Sequence, residues 1–311
     1  MYLAQSNGIK MQNNNVVVQS NKLVEAHYKQ QYTVQEQRMV LWVISEINKE
    51  DYYARKEKQK YKYKEIIISA QKYAELMDIT ADDVYKRAKE IGDNLMQKVL
   101  TINTDDGGWK MLHWMEVMEY IKTTASIRVL ISSEIIPYII ELKEKFTQFR
   151  LENILYLRSS YAIKLYQILA QYKQIGEREI TVNALRNMLG INEQKTYILF
   201  AKIKSKILEI SKREINAKTD LIISYSLIKQ SRKVVAIKFK ITQKPNQETQ
   251  AKKEFEKYIL QLSEGNSLKA TFQNYGFDQA IVKIEFQKFL AEKIANYDAE
   301  SSKPIVLKKC N

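Results

Sequence analysis

The sequence repeats itself at an interval of 112 residues. Shifted by that interval, and with no gap, Ser69 meets Thr181, Tyr73 meets Leu185, Leu76 meets Met188 and Met77 meets Leu189. Further on Ile79 meets Ile191, Tyr85 meets Tyr197, Ile91 meets Ile203 and Leu95 meets Ile207. Ser69 and Thr181 are hydroxyl residues suited to cap a helix N-terminus. The apolar pairs recur at helical spacing, the period of a buried face. Asp78-Ile79-Thr80 and Gly190-Ile191 interrupt that period. Agreement of caps, turn and core together marks a duplicated supersecondary unit, so the chain must fold as two like halves in tandem.

Each half reads as a helix, then a helix–turn–helix, then a β-hairpin. In the first, Thr33 and Glu36 have the spacing of a capping box ahead of Met39, Val40, Val43, Ile44 and Ile47 on one helical face. Lys64 to Ile68 reads as a strand. A helix follows from Ser69, and a second runs from about Ala81 to Lys98 with Val84, Ala88, Ile91 and Leu95 inward. Leu100–Asn103 and Trp109–Tyr120 flank a turn at Asp105-Asp106-Gly107-Gly108, and Ile127–Ile131 is a further strand. In the second half a helix starts at Ser160, a long helix runs from about Thr196 to Ile215, and strands Leu221–Ile228 and Lys233–Ile241 close the unit. This is the plan of a winged helix. The expected fold is mainly α with small antiparallel sheets (α+β), as tandem winged-helix domains. Only 8 Gly and 3 Pro in 311 residues argue against a β-sandwich.

The boundaries expected are a mobile leader at 1–15, a first winged-helix domain at 16–131, a connecting helix within 132–149, a second winged-helix domain at 150–242 and a helical extension at 243–311. Val16 to Ser20 is a short strand or an extended lead-in. Arg55 to Lys64 is a charge run, read as a solvated loop. In the extension, Phe255, Tyr258 and Ile259, then Ile281, Ile284, Phe286, Phe289 and Leu290, suggest two amphipathic helices that either cap the core or bind a partner.

The formal charge is +14, and its location says more than its size. Residues 16–131 carry 18 basic and 17 acidic groups, whereas residues 150–242 carry 18 and 7. A merely solvated lysine surface would spread more evenly, so the second half is read as the polyanion-binding module. Its long helix has the two faces a reading helix needs, one apolar to hold it and one cationic to enter a groove. Phe200, Ile203, Ile207 and Ile210 form the apolar stripe. Lys195, Leu199, Lys202, Lys206, Glu209 and Arg213 recur on the other side. Lys195, Thr196, Tyr197 and Lys202, near the helix start, are the candidates for base edges. Lys206 and Arg213 are expected on phosphates, and the wing offers Lys229, Arg232 and Lys233. In the first half Lys86, Arg87 and Lys89 are interleaved with Asp82, Asp83, Glu90 and Asp93. That helix either contacts DNA weakly or serves dimerisation and regulation.

Enzymatic chemistry finds little support. A metal-dependent nickase needs paired histidines, and the chain has only His27 and His113. Twenty tyrosines discriminate nothing. No G-x-x-x-x-G-K-S/T loop occurs, and Gly107-Gly108 is followed by no Lys-Ser/Thr. No cofactor is expected. The single cysteine, Cys310, fits a reducing cytoplasm. No apolar run reaches the ~18 residues of a membrane helix, so no membrane partner is expected.

The run from Tyr156 to Leu169 (YLRSSYAIKLYQIL) resembles the start of the second domain in plasmid replication initiators of the Rep-3 (RepB/RepE/π-like) family. So do Leu185-Arg186 to Ile191, then Tyr197, Phe200, Lys204 and Leu208, and in the first half Val17 to Val24. The resemblance covers about residues 16–242. It implies a bacterial, cytoplasmic protein that binds repeated origin sites (iterons) on double-stranded DNA as a monomer. It further implies dimers, formed through the first domain, that repress the protein's own gene at an operator, and recruitment of the host chromosomal initiator and replicative helicase. The reading helix matching Lys195 to Arg213 carries over as a helix, without individual base contacts. A tandem winged-helix transcriptional repressor with no initiator role is the alternative.

Overall fold

The computed structural model describes residues 16–47, 65–140, 145–245, 247–262, 266–275 and 281–289. The expected leader at 1–15, the charge run Arg55–Lys64 and Leu290 lie outside the described residues. The chain forms two units, one up to Gln243 and one from Lys244.

The first unit opens on β1 (Val16–Ser20), a true strand, followed by α1 (Asn21–Val24), where Ser20 Oγ accepts from the Leu23 N–H. β2 (His27–Tyr28) leads to α2 (Val34–Ser45), which begins on the expected capping box: Glu36 N–H donates to Thr33 Oγ1, and Thr33 N–H to Glu36 Oε2. Met39 through Ile44 are all buried, Trp42 included, so α2 is enclosed on every side rather than on one face. β3 (Glu65–Ser69) then passes into α3 (Ala70–Met77), with Ser69 capping through the Lys72 N–H. A single 3₁₀ turn, Ala81–Asp83, leads to α4 (Val84–Gln97).

β4 (Leu100–Asn103) and β5 (Trp109–Leu112) pair around the Asp105–Gly108 turn, with Gly107 at φ +84°. The strand expected from Trp109 to Tyr120 does not run through. β5 lies in a sheet with β4 and β2, and the chain then enters β6 (Met115–Ile121), which pairs with β7 (Ser126–Ile131) and through it with β3. Trp114 and Met115 are both buried. Consecutive residues of a flat strand point to opposite faces, so two buried neighbours mark the place where the chain changes sheets.

The expected connecting helix is also corrected. Its described part is the short α5 (Pro137–Ile140), and β8 (Phe146–Arg150) pairs antiparallel with β1, from Val16 opposite Arg150 to Ser20 opposite Phe146. α6 (Glu152–Leu155) and α7 (Ser160–Ala170) follow, α7 capped by Ser159 and buried from Ala162 to Ala170. β9 (Glu177–Thr181) and α8 (Val182–Leu189) repeat β3 and α3 at an offset of 112, again with a hydroxyl cap, Thr181 to the Ala184 N–H.

The long helix α9 occupies residues 200–218. It is built from Phe200–Ile203, a π-helical turn Lys204–Leu208, and Glu209–Lys218. β10 (Leu221–Gln230) and β11 (Lys233–Gln243) complete the half. The sheets β3-β7-β6 and β9-β11-β10 share one topology. Ile91 and Ile203, and Leu95 and Ile207, are buried as paired, but the helix starts are out of step with the match. α3 ends at Met77 and α4 begins at Val84, while α8 ends at Leu189 and α9 begins at Phe200, so the offset grows from 112 to 116. Tyr85 and Tyr197, paired by the sequence shift, sit in unlike surroundings: Tyr85 is exposed and Tyr197 buried.

In the second unit α10 (Gln247–Gln261), α11 (Ser267–Tyr275) and a helix at 281–289 are described, where two helices were expected. Phe255, Ile259, Val282 and Phe286 form its apolar core. Ile281 and Ile284 are exposed, because the buried face of the last helix falls on 282 and 286.

Candidate nucleic-acid interface

α9 is held by Ile203, Ile207, Leu208, Ser211 and Ile215, all buried. The expected stripe was Phe200, Ile203, Ile207 and Ile210, but Phe200 and Ile210 are only half-buried. The π turn accounts for the change at Ile210. An inserted wide turn rotates everything after it about the helix axis, so the buried line passes from Ile207 to Leu208 and Ser211 instead of Ile210.

Lys202, Lys206 and Arg213 are exposed on the other side of α9, as expected, whereas the helix expected from about Thr196 starts only at Phe200, so Lys195 and Thr196 are exposed on a 3₁₀ turn, Lys195–Tyr197, ahead of it. Lys204 is exposed as well and was missed as a candidate. A regular 3.6-residue period places it at the border of the two faces, so the pattern did not single it out. The wing residues Lys229, Arg232 and Lys233 are exposed around the β10–β11 tip, where Ser231 takes φ +55°. None of these cations is held in an ion pair among the described residues. Two nearby carboxylates are engaged elsewhere. Glu209 accepts from the Tyr225 hydroxyl at 2.5 Å, and Glu214 accepts from the backbone N–H groups of Arg158 and Ser159 at 2.8 and 3.1 Å. Cations outnumber the carboxylates on this face, Glu193 and Glu209 included, so it carries a net positive charge, the condition for gripping a polyanion.

Tyr197 requires correction. It is 9% exposed and belongs to the core, not to a groove-facing surface. Its hydroxyl bonds the Tyr161 hydroxyl at 2.9 Å and the two rings meet edge-on at 5.8 Å. Burial raises the Tyr161 hydroxyl well above the ordinary phenol range, so this contact stays neutral. A second residue that sequence reasoning missed is Arg186 on α8. Its guanidinium donates to the carbonyls of Tyr197 and Ile198 at 2.6 and 2.7 Å and shapes the backbone that leads into α9.

The turn before α9 is also tied to the first half. Gly190 caps α8 at φ +66°, and a Cβ there would lie 2.8 Å from the carbonyl carbon and oxygen of Gln30. Gln31 donates to Ser160 Oγ at 2.8 Å and accepts from the Tyr161 hydroxyl at 2.8 Å and from Gln194 at 3.3 Å. Farther along the same seam Lys164 Nζ donates to the Val24 carbonyl at 2.7 Å over the Tyr28 ring, and Arg178 donates to Glu25 at 2.6 Å. Burial lowers the Lys164 pKa to about 7, against the attraction of Glu25.

In the first half Lys86, Arg87 and Lys89 are exposed on α4 beside exposed Asp82, Asp83, Glu90 and Asp93. Arg87 is paired with Glu90 at 2.9 Å. His27 and His113 are far apart in the sequence, and among the described residues no group of three or more His, Cys, Asp or Glu side chains is arranged to hold a metal ion. No helix among them is long and apolar enough to cross a membrane.

Two family descriptions match this chain: "Initiator Replication protein, WH1" over residues 16–170 and "Initiator Rep protein, WH2" over residues 181–241. An uncharacterized 27.6 kDa protein of Escherichia coli is 26% identical over 224 residues, spanning 68% of this chain and 89% of that protein. Among solved structures, a Pi initiator protein in complex with iteron DNA superposes with a TM-score of 0.60 at 21% identity, covering 76% of this chain and all of that one. At that identity the likeness concerns the fold.

Proposed function

The chain belongs to the Rep-3 family of plasmid replication initiators, a family of DNA-binding proteins, and we propose that it starts replication by binding repeated sites, iterons, at a plasmid origin. In this reading α9 enters the major groove. Lys195, Thr196 and Lys202 reach base edges, Lys204, Lys206 and Arg213 hold phosphates, and Lys229, Arg232 and Lys233 of the wing grip the backbone alongside. Tyr197 serves from behind, fixing the turn. Lys86, Arg87 and Lys89 make at most a weaker second contact through α4. Bound protein then recruits the host chromosomal initiator and the replicative helicase, and dimers formed through the first half repress the protein's own gene. The work is done in the bacterial cytoplasm and involves no cofactor.

The observation that carries this is the exposed, unpaired cationic face of α9, backed by a buried apolar line on the same helix. The Pi initiator's complex with iteron DNA supports it by analogy of fold. The test is binding of purified protein to origin repeats and to a scrambled duplex across a salt series. A preference of ~10³ or more for the repeats, with a ladder of successive complexes, is the expected result. Equal binding to both duplexes that vanishes with salt means an electrostatic grip without reading. Supplying the protein in trans to a plasmid that carries only the origin separates an initiator, which sustains the plasmid, from a repressor, which does not.

A further inference from the structure

A side-chain oxygen at a helix N-cap satisfies backbone N–H groups that the helix leaves unpaired. Ser20, Thr33, Ser69, Ser159 and Thr181 all do this here. α9 does not. Its N-cap is Leu199, in ordinary cap geometry at φ −81° and ψ 122°, with no side-chain hydrogen bond to the helix. Leu199 is 65% exposed and its neighbour Ile198 is 67% exposed. The chain thus forgoes a stabilising hydroxyl at this position and keeps two branched apolar side chains in water. Such a local breach of the folding rules marks a place where something other than folding chose the residues.

The backbone under these two side chains is fixed. Arg186 holds the carbonyls of Tyr197 and Ile198, and the Tyr197 ring is buried against Tyr161. Around them Lys195, Thr196 and Lys202 are exposed. An apolar centre with a lysine rim suits a protein partner poorly, since lysine is depleted from protein–protein interfaces. It suits the major groove well. There phosphates flank the walls, and the one apolar group on the floor is the C5-methyl of thymine.

We infer that Ile198 and Leu199 read thymine methyl groups in the duplex that α9 grips. The inference rests on the reading of α9 as the groove-entering helix and gives it a chemical preference: the site contains thymine at the step facing the start of α9.

The test begins by letting the full-length protein select its preferred duplex from a randomised library. Each dT of that duplex is then replaced by dU, which removes the methyl and keeps the base pair. Affinity is measured for wild type, Ile198→Ser, Leu199→Ser and Lys202→Ala. Wild type should weaken by about 3- to 5-fold at one or two thymines, the factor for burying a methyl group. Leu199→Ser or Ile198→Ser should abolish that sensitivity at one of them, and Lys202→Ala should retain it. Leu199→Ser should melt no lower than wild type, because serine restores a cap, so weaker binding by that variant is not unfolding. Wild type that prefers its selected duplex yet is indifferent to every dU overturns the inference and leaves the groove reading standing. A protein that selects no duplex overturns both.

Discussion

α4 and α9 occupy the same place in the same topology, yet only one presents a face dominated by unpaired cations. Both bury an apolar line, Val84, Ala88, Ile91 and Leu95 on α4 and Ile203, Ile207, Leu208 and Ile215 on α9. Both follow a hydroxyl-capped helix and precede strands that join the same sheet pattern. Outside, α4 mixes Lys86, Arg87 and Lys89 with Glu90 and Asp93, Asp82 and Asp83 stand in the turn just ahead of it, and Arg87 is already bound to Glu90. α9 presents cations with its carboxylates turned to other partners. The pair teaches that a duplicated core keeps the architecture while the solvent face is free to diverge, so charge placement, not fold, separates the two halves.

The turns ahead of the two helices give the sharpest comparison. Asp78 and Gly190 both cap a helix in the left-handed region, at φ 58° and 66°. Asp78 is exposed, while Gly190 faces the Gln30 main chain. Gly190→Ala should therefore cost about 3 kcal/mol, from backbone strain and the clash together. Asp78→Gly should change stability by less than about 1 kcal/mol. Urea unfolding measures both, and equal small effects would show that the two turns are equivalent after all.

Binding comes next. Lys202→Ala should lose about 1–3 kcal/mol of specific binding and relax preference at one base pair. Lys89→Ala on α4 should lose less than about 0.5 kcal/mol, as a surface change usually does. If the two variants weaken binding alike in a mobility-shift titration, the halves are equal readers and the comparison breaks.

A third probe addresses what the halves share. Lys164 is buried at the seam with its pKa held down to about 7 from an ordinary 10.5. Between those values the unfolded chain binds more protons than the folded one, so stability rises with pH. From pH 7 to 8.5 the gain should be on the order of 1–2 kcal/mol, and Lys164→Met should flatten it. A wild-type stability curve with no rise in that window would mean that the ammonium is solvated and the seam open. The smallest effect belongs to the wing. Arg232→Ala should weaken all duplexes alike and lower the salt slope by about 0.9. A change in sequence preference instead would move Arg232 from backbone grip to base reading.

Much of this was legible because it is local. The caps at Thr33, Ser69 and Thr181 and the buried residues of α3, α4 and α8 follow from spacing alone. The misses are all long-range or register effects. β1 pairs with β8 across some 130 residues, which no window of periodicity contains. The longer turn before α9 puts the helix starts out of step with a match that holds without a gap. Tyr197 looked like a reader by position, but its partner Tyr161 lies 36 residues earlier and is a neutral hydroxyl that leaves no pattern. Ile210 was assigned to the buried stripe because a helical wheel drawn at constant pitch cannot show a local change of pitch.

The close approach of Gly190 to Gln30 has a consequence for anyone wishing to retarget such a protein. The second reading unit is not a cassette. Its turn is moulded on main chain belonging to the first half, so a transplanted turn with any side chain at that position would meet Gln30 before it met DNA. Residues around Gln30 and Gln31 must travel with a grafted second half, or the donor must itself carry glycine there. Exchange confined to exposed positions of α9 leaves that join untouched.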